Sequence, residues 1–342
     1  MSVVNITPRT FDDVRGLVST LPMADAEALS AARDRESKLT KPAGALGRLE
    51  DLVAWLSAWQ GRHPPQLVHA QALVFAGNHG VTAQGISAFP AEVTVQMVNN
   101  FAAGGAAINQ LARAYGADLG VIPLDLDRPT VDFTSAPAMS EEECMVAFAV
   151  GWEAVRTNSD IVLVGEMGIG NTTSAAALCR LLLDGTSADW AGPGTGLDAA
   201  GIARKIEVIN RAVELHGADA IDPLESLRRV GGRELAAICG AVLAARLTCA
   251  PVILDGYVAT TAAAVLHGLE AGALDHCIAG HISAEPGHGR VLAALGKEPL
   301  VSLGMRLGEG SGAAVALGVV RGAVAAHAGM ATFAEAGVSD KD

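Results

Sequence analysis

The sequence predicts an α/β protein built on a parallel sheet with helices on both faces. From residue 70 onward, short apolar runs alternate with longer segments of helical periodicity, a pattern typical of parallel sheets. The 39 glycines among 342 residues follow no G-x-y period, so they indicate many tight loops between strands and helices. Hydrophobic residues make up 50% of the chain, which is enough for one large core or two unequal domains.

The predicted elements follow in chain order. Residues 24–62 hold two helical stretches, separated by a turn at 41–44, and these predict a helical N-terminal segment. Strands are predicted at 70–76, 118–124, 160–165, 249–255, 275–280 and 299–303. Helices are predicted near 90–114, 140–157, 172–184, 198–216, 224–247, 257–272 and 311–328. Since ligands bind beyond the carboxyl ends of parallel strands, we expect the functional site in the loops that follow these strands.

Charge and composition exclude several function classes. The net charge of -13, without any cluster of Lys or Arg, makes nucleic acid an improbable partner. The N-terminal residues lack a charged and then apolar leader, so no export is expected. The apolar stretch 312–331 contains Arg321 and His327, which favour a buried helix over membrane insertion. Five cysteines without CxxC spacing indicate reduced thiols in a cytoplasmic protein: Cys144, Cys179, Cys239, Cys249 and Cys277.

The motif GEMGIGNTT at residues 165–173 resembles a P-loop but lacks its lysine. Gly165, Gly170 and Thr172 stand at P-loop spacing, whereas Asn171 occupies the lysine position. The motif follows an apolar run and precedes a helical segment, which Asn171 or Thr172 is expected to cap. The helix N-terminus then favours an anion. A plain glycine-rich turn is the alternative, and a triphosphatase is disfavoured because no Walker-B aspartate follows.

Three charged residues are candidates for chemistry. Glu166 follows the third strand directly and can accept hydrogen bonds from ribose hydroxyls, or it is a solvated loop acid. Lys205, on a helix, offers a counter-charge for a phosphate, although a solvated lysine is the simpler interpretation. Glu309, between two glycines, is either a helix-capping acid or a general base in a desolvated loop.

Three histidines also follow predicted strands. His79, His281 and His288 lie in loops where ligands bind, but their spacing fits no known metal motif. Structural or ligand-shaping roles are therefore expected for them. Asp198 and the run DPLE at 222–225 carry helix-start signatures without chemistry.

Eight motifs stand in order along almost the whole chain. They are KPAGALGRLE (41–50), FAGNHGV (75–81), SAFPAEVTVQMV (87–98), GEMGIGNTTSAAA (165–177), DPLESLRRVGGRELAAICGA (222–241), PVILDGYVATTAAAVL (251–266), GHISAEPGH (280–288) and LGMRLGEGSGAA (303–314). Together they make the sequence resemble the nicotinate-nucleotide:dimethylbenzimidazole phosphoribosyltransferases of cobalamin nucleotide-loop assembly. Two positions depart from the family pattern: Ala45 replaces a common Ser, which is expected to affect packing, and Asn78 replaces a common Asp, which removes a charge near the expected base pocket.

The resemblance implies a fold, a reaction and a set of site residues. The expected fold is a Rossmann-like catalytic domain at 66–320 and a small helical domain formed by 1–65 with part of 320–342. The expected enzyme is a homodimer without metal or cofactor, which moves the phosphoribosyl group of nicotinate mononucleotide to 5,6-dimethylbenzimidazole. A non-catalytic ribonucleotide sensor or carrier of the same fold is the alternative.

The resemblance also assigns roles. Glu309 is expected to be the base, Glu166, Gly168, Lys205 and Ser283 are expected around the ribose phosphate, and Gln96 and Leu307 near the benzimidazole. The other substrate-binding residues expected are Phe89, Met167, Gly170, Asn171, Thr172, Gly308 and Gly310.

Overall fold

The computed structural model describes residues 7–339, and these form a six-stranded sheet in which every strand pair is parallel. The strands are β1 (Ala70–Ala76), β2 (Ala117–Pro123), β3 (Ile161–Met167), β4 (Val252–Leu254), β5 (Cys277–His281) and β6 (Pro299–Val301). All six predicted strands are present. The third runs two residues beyond its predicted end, so Glu166 and Met167 belong to the strand itself.

The strand order is β2-β1-β3-β4-β5-β6. The chain moves outward from β1 to β2, and then crosses back to place β3 on the other side of β1. This reversal creates a crevice beyond the carboxyl ends of β1 and β3, where open parallel sheets bind ligands. Phe75 pairs with Glu166 and Ala76 with Met167, so both strands end at the same level.

Helices cover both faces of the sheet. They are α1 (Phe11–Val18), α2 (Ala26–Glu36), α3 (Arg48–Gln60), α4 (Val93–Ala102), α5 (Ala107–Tyr115), α6 (Glu141–Ala154), α7 (Asn171–Leu182), α8 (Ser187–Trp190), α9 (Ala199–His216), α10 (Pro223–Val230), α11 (Arg233–Leu247), α12 (Tyr257–Leu269), α13 (Pro286–Ala294), α14 (Ser311–Gly329) and α15 (Phe333–Ala336).

Glycines divide two of the predicted helices. Residues 90–114 form α4 and α5, separated at residues 104–105, and residues 224–247 form α10 and α11, separated at residues 231–232. Gly104 has a left-handed φ of +78°, a conformation that a glycine adopts without steric cost. The short helices α1, α8, α13 and α15 were not predicted, because so few turns give little periodicity.

Side chains alternate between two cores along the central strands. Leu73 and Phe75 of β1 face α6, α7, α10, α11 and α12, whereas Ala72 and Val74 face α3, α5 and α14. On the first face, α6 and α11 cross at backbone contact. A β-carbon at Gly240 would lie only 1.9 Å from the carbonyl oxygen of Phe148, so glycine is needed there.

The described parts of the two chain ends pack together. Leu39 and Thr332 form an isolated antiparallel bridge, and the Arg35 guanidinium donates to the carbonyls of His327, Ala328 and Met330. Helix α3 also joins the core beneath α14. Helical association of the chain ends is therefore present, while a domain boundary at residue 65 stays a prediction.

Helix α14 is long and apolar enough to cross a membrane, but 44% of this stretch is buried, and one face of the helix lies in the core. Its buried residues pack on the sheet, and the Arg321 guanidinium donates to the carbonyls of Leu67, Tyr115 and Gly116. The prediction of a buried helix is therefore confirmed for the face that packs on the sheet. The five cysteines are free thiols, and four of them are buried.

Candidate active site

A cleft lies beyond the carboxyl ends of β1, β3, β4 and β5, where the parallel sheet was expected to bind a ligand. The space within its main cavity, including the part open to solvent, is about 610 Å³, and it is lined by the end of β3 and the loop after it, the segment 194–195, the start of α12, and residues at and after the ends of β5 and β6. A smaller cavity adjoins it and reaches Lys205. Residues 168, 169, 171, 172, 194 and 195 line both cavities.

The GEMGIGNTT motif forms the end of β3, a glycine turn and the start of α7. Gly170 has φ +92° and occupies the N-cap position of α7, where no side chain caps the helix. The prediction that Asn171 or Thr172 caps this helix is wrong, because the helix begins one residue earlier and both side chains point to other partners. Asn171 donates to the Glu166 carboxylate, and Thr172 Oγ1 accepts from Lys205.

Lys205 is a buried cation beside this helix N-terminus. Only 1% of the residue is exposed, and its Nζ donates to Thr172 Oγ1 at 2.9 Å and to the Gly192 carbonyl at 3.0 Å. No carboxylate of the described residues lies within ion-pair distance of it, and burial, opposed by the charge of Glu285, lowers its pKa to about 8. The ammonium group and the positive end of α7 together form a site for an anion.

Glu309 lies in a strained turn between β6 and α14. Gly308, Glu309 and Gly310 have consecutive φ values of +81°, +63° and +77°, and a glutamate rarely adopts this left-handed conformation. The Glu309 N–H donates to the carbonyl of Glu166 at 3.1 Å, which joins the turn to β3. The side chain is 4% exposed, and its Oε2 has no hydrogen-bond partner in the described chain.

Asp255, at the end of β4, holds this turn in place. Its carboxylate accepts from the N–H of Gly310 at 3.1 Å and of Ala313 at 2.9 Å, so it caps α14 from outside the helix. Burial raises the pKa of Asp255, while His281 at 3.7 Å opposes that effect. Burial, followed by repulsion from Asp255, raises the pKa of Glu309 to about 7.

Glu166 is an acid that lines the cleft itself. Burial raises its pKa to about 8, repulsion from Asp255, Glu234 and Glu309 adds to the effect, and the Asn171 hydrogen bond opposes it. At neutral pH this side chain is therefore mainly a neutral carboxylic acid. A neutral acid can lie near a phosphate without repelling it, and it can both donate and accept a hydrogen bond.

Ser283 is oriented by a buried histidine. His288 Nδ1 accepts from the Ser283 N–H at 2.9 Å and lies 3.1 Å from its Oγ, while Nε2 contacts Thr260 Oγ1 at 3.1 Å. Burial lowers the pKa of His288 to about 3, so the ring is neutral. His288 lies in the first turn of α13 and not in a loop, and it shapes the segment that lines the cleft.

Comparison with known proteins identifies the family. A family model described as phosphoribosyltransferase matches residues 21–338. The chain belongs to this phosphoribosyltransferase family. A nicotinate-nucleotide–dimethylbenzimidazole phosphoribosyltransferase of Ruegeria sp. (strain TM1040) is 59% identical over 97% of this chain and 98% of its own, and one of Sinorhizobium medicae is 56% identical over the same shares.

Solved structures resemble the whole fold. A crystal structure of CobT from Thermus thermophilus aligns with a TM-score of 0.86 and 41% identity, over 92% of this chain and all of that one. A second structure, of a nicotinate-nucleotide–dimethylbenzimidazole phosphoribosyltransferase from the same organism, gives a TM-score of 0.84 over 93% of this chain. The chain is thus a phosphoribosyltransferase with the α/β fold that its sequence predicted.

Most of the residues expected at a phosphoribosyltransferase site come together. The two cavities are lined by Glu166, Met167, Gly168, Gly170, Asn171, Thr172, Lys205, Ser283, Leu307 and Gly308. Glu309 and Gly310 stand next to Gly308, behind the wall. Phe89 and Gln96 are exposed and line neither cavity, although Thr94, which lies on α4 with Gln96, accepts from the Ile169 N–H at 3.1 Å.

Of the two departures from the family pattern, the one at residue 78 has a structural explanation. Asn78 is buried, and its amide donates to the Leu126 carbonyl at 2.9 Å, a bond that an ionised aspartate cannot make. Its described contacts are thus with the protein itself. Ala45 is exposed in a turn, so the expected packing effect at that position is wrong.

Several wall residues were missed as individual candidates. Tyr257, Glu285 and Arg306 line the main cavity, and Arg306 donates to the Gly194 carbonyl at 3.2 Å. All three lie in sequence motifs that the family shares: ILDGY, SAEPGH and MRLGEG. Membership in these motifs was the feature of the sequence that could have identified them as site residues. Among residues 7–339, no group of three His, Cys, Asp or Glu side chains has a metal-binding arrangement.

Proposed function

We propose that this phosphoribosyltransferase moves the 5-phosphoribosyl group of nicotinate mononucleotide to 5,6-dimethylbenzimidazole, in cobalamin biosynthesis. The products are α-ribazole 5-phosphate and nicotinate. The observation that carries the proposal is one cleft with two unlike acid–base groups: a buried lysine at a helix N-terminus, and, directly behind the wall formed by Gly308, a buried carboxyl group with an unpartnered oxygen. The names of the relatives support this choice of substrates.

The donor phosphate binds at Lys205 and the start of α7. A monophosphate has no β- or γ-phosphate for a P-loop lysine to reach, which agrees with Asn171 in place of that lysine. Binding of a dianion stabilises the ammonium form of Lys205, which burial alone disfavours. Glu166, as a neutral acid, is positioned by Asn171 and serves the ribose hydroxyls.

The leaving group needs no acid. The bond between ribose C1 and the pyridinium nitrogen breaks with both electrons passing to nitrogen, so nicotinate leaves with a neutral ring nitrogen. The unprotonated nitrogen of dimethylbenzimidazole forms the new bond to C1, and we infer that it attacks from the opposite face, which turns a β into an α linkage. No step of this scheme requires a metal.

The acceptor, by contrast, needs a base. Its second nitrogen must lose a proton as positive charge reaches the ring, and Glu309 takes that proton. With a pKa of about 7, Glu309 is partly ionised at neutral pH and still basic enough to accept it. Its rigid turn holds the carboxylate in place without reorganisation.

We also propose that the enzyme is a cytoplasmic homodimer. Phe89, Leu303 and Leu307 are large apolar side chains that are 49%, 64% and 56% exposed, which supports contact with an apolar base or a partner subunit near the cleft. In this arrangement Phe89, Gln96 and Leu307 contact the benzimidazole. The five free thiols support a reducing compartment.

One assay tests the proposal. The purified enzyme is incubated with nicotinate mononucleotide and dimethylbenzimidazole, with and without EDTA, and nicotinate and α-ribazole 5-phosphate are measured by chromatography. We expect equal amounts of both products and no effect of EDTA. Binding of the donor without release of nicotinate would instead identify a ribonucleotide sensor or carrier, and magnesium-dependent release of phosphate from ATP would identify an ATPase.

A further inference from the structure

A fully buried Ser174–His79–Glu234 network lies beneath the cleft and has no part in the chemistry described above. His79 Nε2 is 2.5 Å from Glu234 Oε1, and His79 Nδ1 is 3.0 Å from Ser174 Oγ. Ser174, His79 and Glu234 are 0%, 1% and 0% exposed. Because no substrate can reach them, any effect of this network on the reaction must pass through the residues packed on it.

Three glycines from three different loops enclose the pair. A β-carbon at Gly77 would lie 2.3 Å from Glu234 Oε2, and one at Gly232 would lie 2.3 Å from His79 Cε1. A β-carbon at Gly168 would lie 3.0 Å from Glu234 Oε1 and 2.7 Å from the carbonyl oxygen of Gly77. The loops after β1 and β3 and the start of α11 therefore meet at this one imidazole–carboxylate contact.

Gly168 connects the network to the substrate. It lines both cavities, and its carbonyl accepts from the N–H of Asn171, the residue whose side chain holds Glu166. We propose that the His79–Glu234 pair is a positioning element of the donor site, which fixes Gly168, and through it the Glu166–Asn171 contact and the N-terminus of α7. This proposal rests on the phosphoribosyl transfer proposed above.

The charge of Glu234 provides a second connection. Four groups act on Glu166: the Asn171 amide lowers its pKa, and the carboxylates of Asp255, Glu234 and Glu309 raise it, after burial as the main cause. Glu309 does not share this dependence, because its pKa is raised by burial and by Asp255. Removing the charge at residue 234 should thus affect the two acids of the cleft differently.

The test is Glu234→Gln, measured in the nicotinate assay as KM for each substrate and as a function of pH. We expect the KM for nicotinate mononucleotide to rise by about 10-fold, which is the effect of losing about one hydrogen bond to the donor, while the KM for dimethylbenzimidazole is unchanged. We also expect the rise in donor KM at high pH, caused by ionisation of Glu166, to begin at a lower pH. The acid limb that Glu309 produces should not move.

Two further variants show whether Glu234 positions the donor site or only stabilises the folded protein. Glu225→Gln makes the same carboxylate-to-amide change in a partly buried ion pair with Arg228 and Arg229, and should lower Tm without altering either KM or the pH profile. Ser174→Ala removes the contact at the far side of His79 and should raise the donor KM less than Glu234→Gln does. If Glu234→Gln does not fold, Ser174→Ala decides the question.

An unchanged donor KM and an unchanged pH profile in the folded variants, with only a lower Tm, would overturn the proposal. Failure of the wild-type enzyme to release nicotinate would instead refute the proposed function, so the two failures are distinguishable.

Discussion

The loops after β3 and after β6 are built alike, yet they leave their helices in opposite electrostatic states. In each case a glutamate, Glu166 at the end of β3 or Glu309 in the turn, precedes a left-handed glycine that serves as the N-cap of a helix, Gly170 for α7 and Gly310 for α14. In neither case does the N-cap residue carry a side chain that can cap the helix. Both helices therefore need another partner for their first N–H groups.

The difference lies in what faces each helix end. Asp255 brings a carboxylate to α14 and accepts two of its N–H groups, whereas α7 has the Lys205 ammonium nearby. One N-terminus is already occupied by an anion of the protein, and the other is prepared for an anion from solution. The two similar glycine-rich loops thus differ in function because Asp255, which follows β4, faces one helix, whereas Lys205, which lies on α9, faces the other.

The largest effect on activity is expected in the turn before α14, whose N-terminus is occupied by Asp255. Glu309→Gln keeps the shape of the side chain but removes the proton acceptor, so kcat should fall by about 10²- to 10⁴-fold while the donor still binds. Chromatographic rates and isothermal titration with nicotinate mononucleotide measure the two quantities. Near-normal turnover would remove Glu309 from the role of base.

The N-terminus of α7, with Lys205 beside it, should control the affinity of the enzyme for nicotinate mononucleotide. Lys205→Ala removes a charged hydrogen-bond donor from the anion site, and the KM for nicotinate mononucleotide should rise by about 10- to 100-fold. Arg211→Ala, an exposed arginine on the same helix α9, is the matched control and should leave KM unchanged. Equal KM values for the Lys205 variant and the wild type would place the phosphate elsewhere.

Asp255→Asn tests the carboxylate that occupies the N-terminus of α14 and has no counterpart at α7. An amide can accept only through its oxygen, so one N–H bond of α14 is lost and the free energy of unfolding should fall by about 1–2 kcal/mol. Loss of the charge also lowers the pKa of Glu309, so the rise of kcat with pH should begin at lower pH. Urea unfolding and a pH–rate profile measure these effects, and an unshifted profile would contradict the electrostatic link.

The smallest effect is expected at Asn171. Its amide lowers the pKa of Glu166, so Asn171→Ala should extend the protonated range of that acid to higher pH and raise donor KM by about 2- to 5-fold near neutrality. This shift is opposite in sign to that expected for Glu234→Gln. Shifts of the same sign in both variants would refute the role given to Glu166.

The raised pKa values also predict a pH dependence of stability. A carboxyl group whose folded pKa lies above its unfolded value binds protons more strongly in the native state, so its contribution is present below the unfolded pKa and is lost as pH rises. For Glu166 this loss should be spread between its ordinary value near 4.5 and about 8. Compared with Glu166→Gln, the wild-type Tm should fall more steeply with pH over that interval.

The fold was largely predictable because its signals are local. Apolar runs marked all six strands, and the side-chain signature at Asp198 marked the start of α9, where its carboxylate accepts from the Gly201 N–H at 2.8 Å. Helix boundaries were less predictable where glycines interrupt a continuous pattern, as at residues 231–232. The strand order itself depends on long-range packing that no local pattern contains.

Most residues that line the cleft were predictable from the sequence, but their contacts were not. Glycine-rich loops and the family motifs indicated Glu166 and Glu309, whereas Lys205 was indicated by the need of a phosphate for a counter-charge and by the resemblance to the family. No local signal showed that Asn171 holds Glu166 and does not cap a helix, since that depends on where β3 ends. Asp255 was missed as well, because its importance follows from the neighbouring ends of β4 and α14 and not from its own motif.

Gly165 sets a limit for protein engineering at this cleft. A β-carbon there would lie 2.2 Å from the nitrogen of Gly310, because the two loops touch backbone to backbone. A library that randomises residues 165–170 against a fixed 308–310 turn should therefore return glycine at 165 almost invariably. New acceptor specificities should instead be sought by varying exposed wall residues such as Leu307, or by exchanging both loops together between relatives.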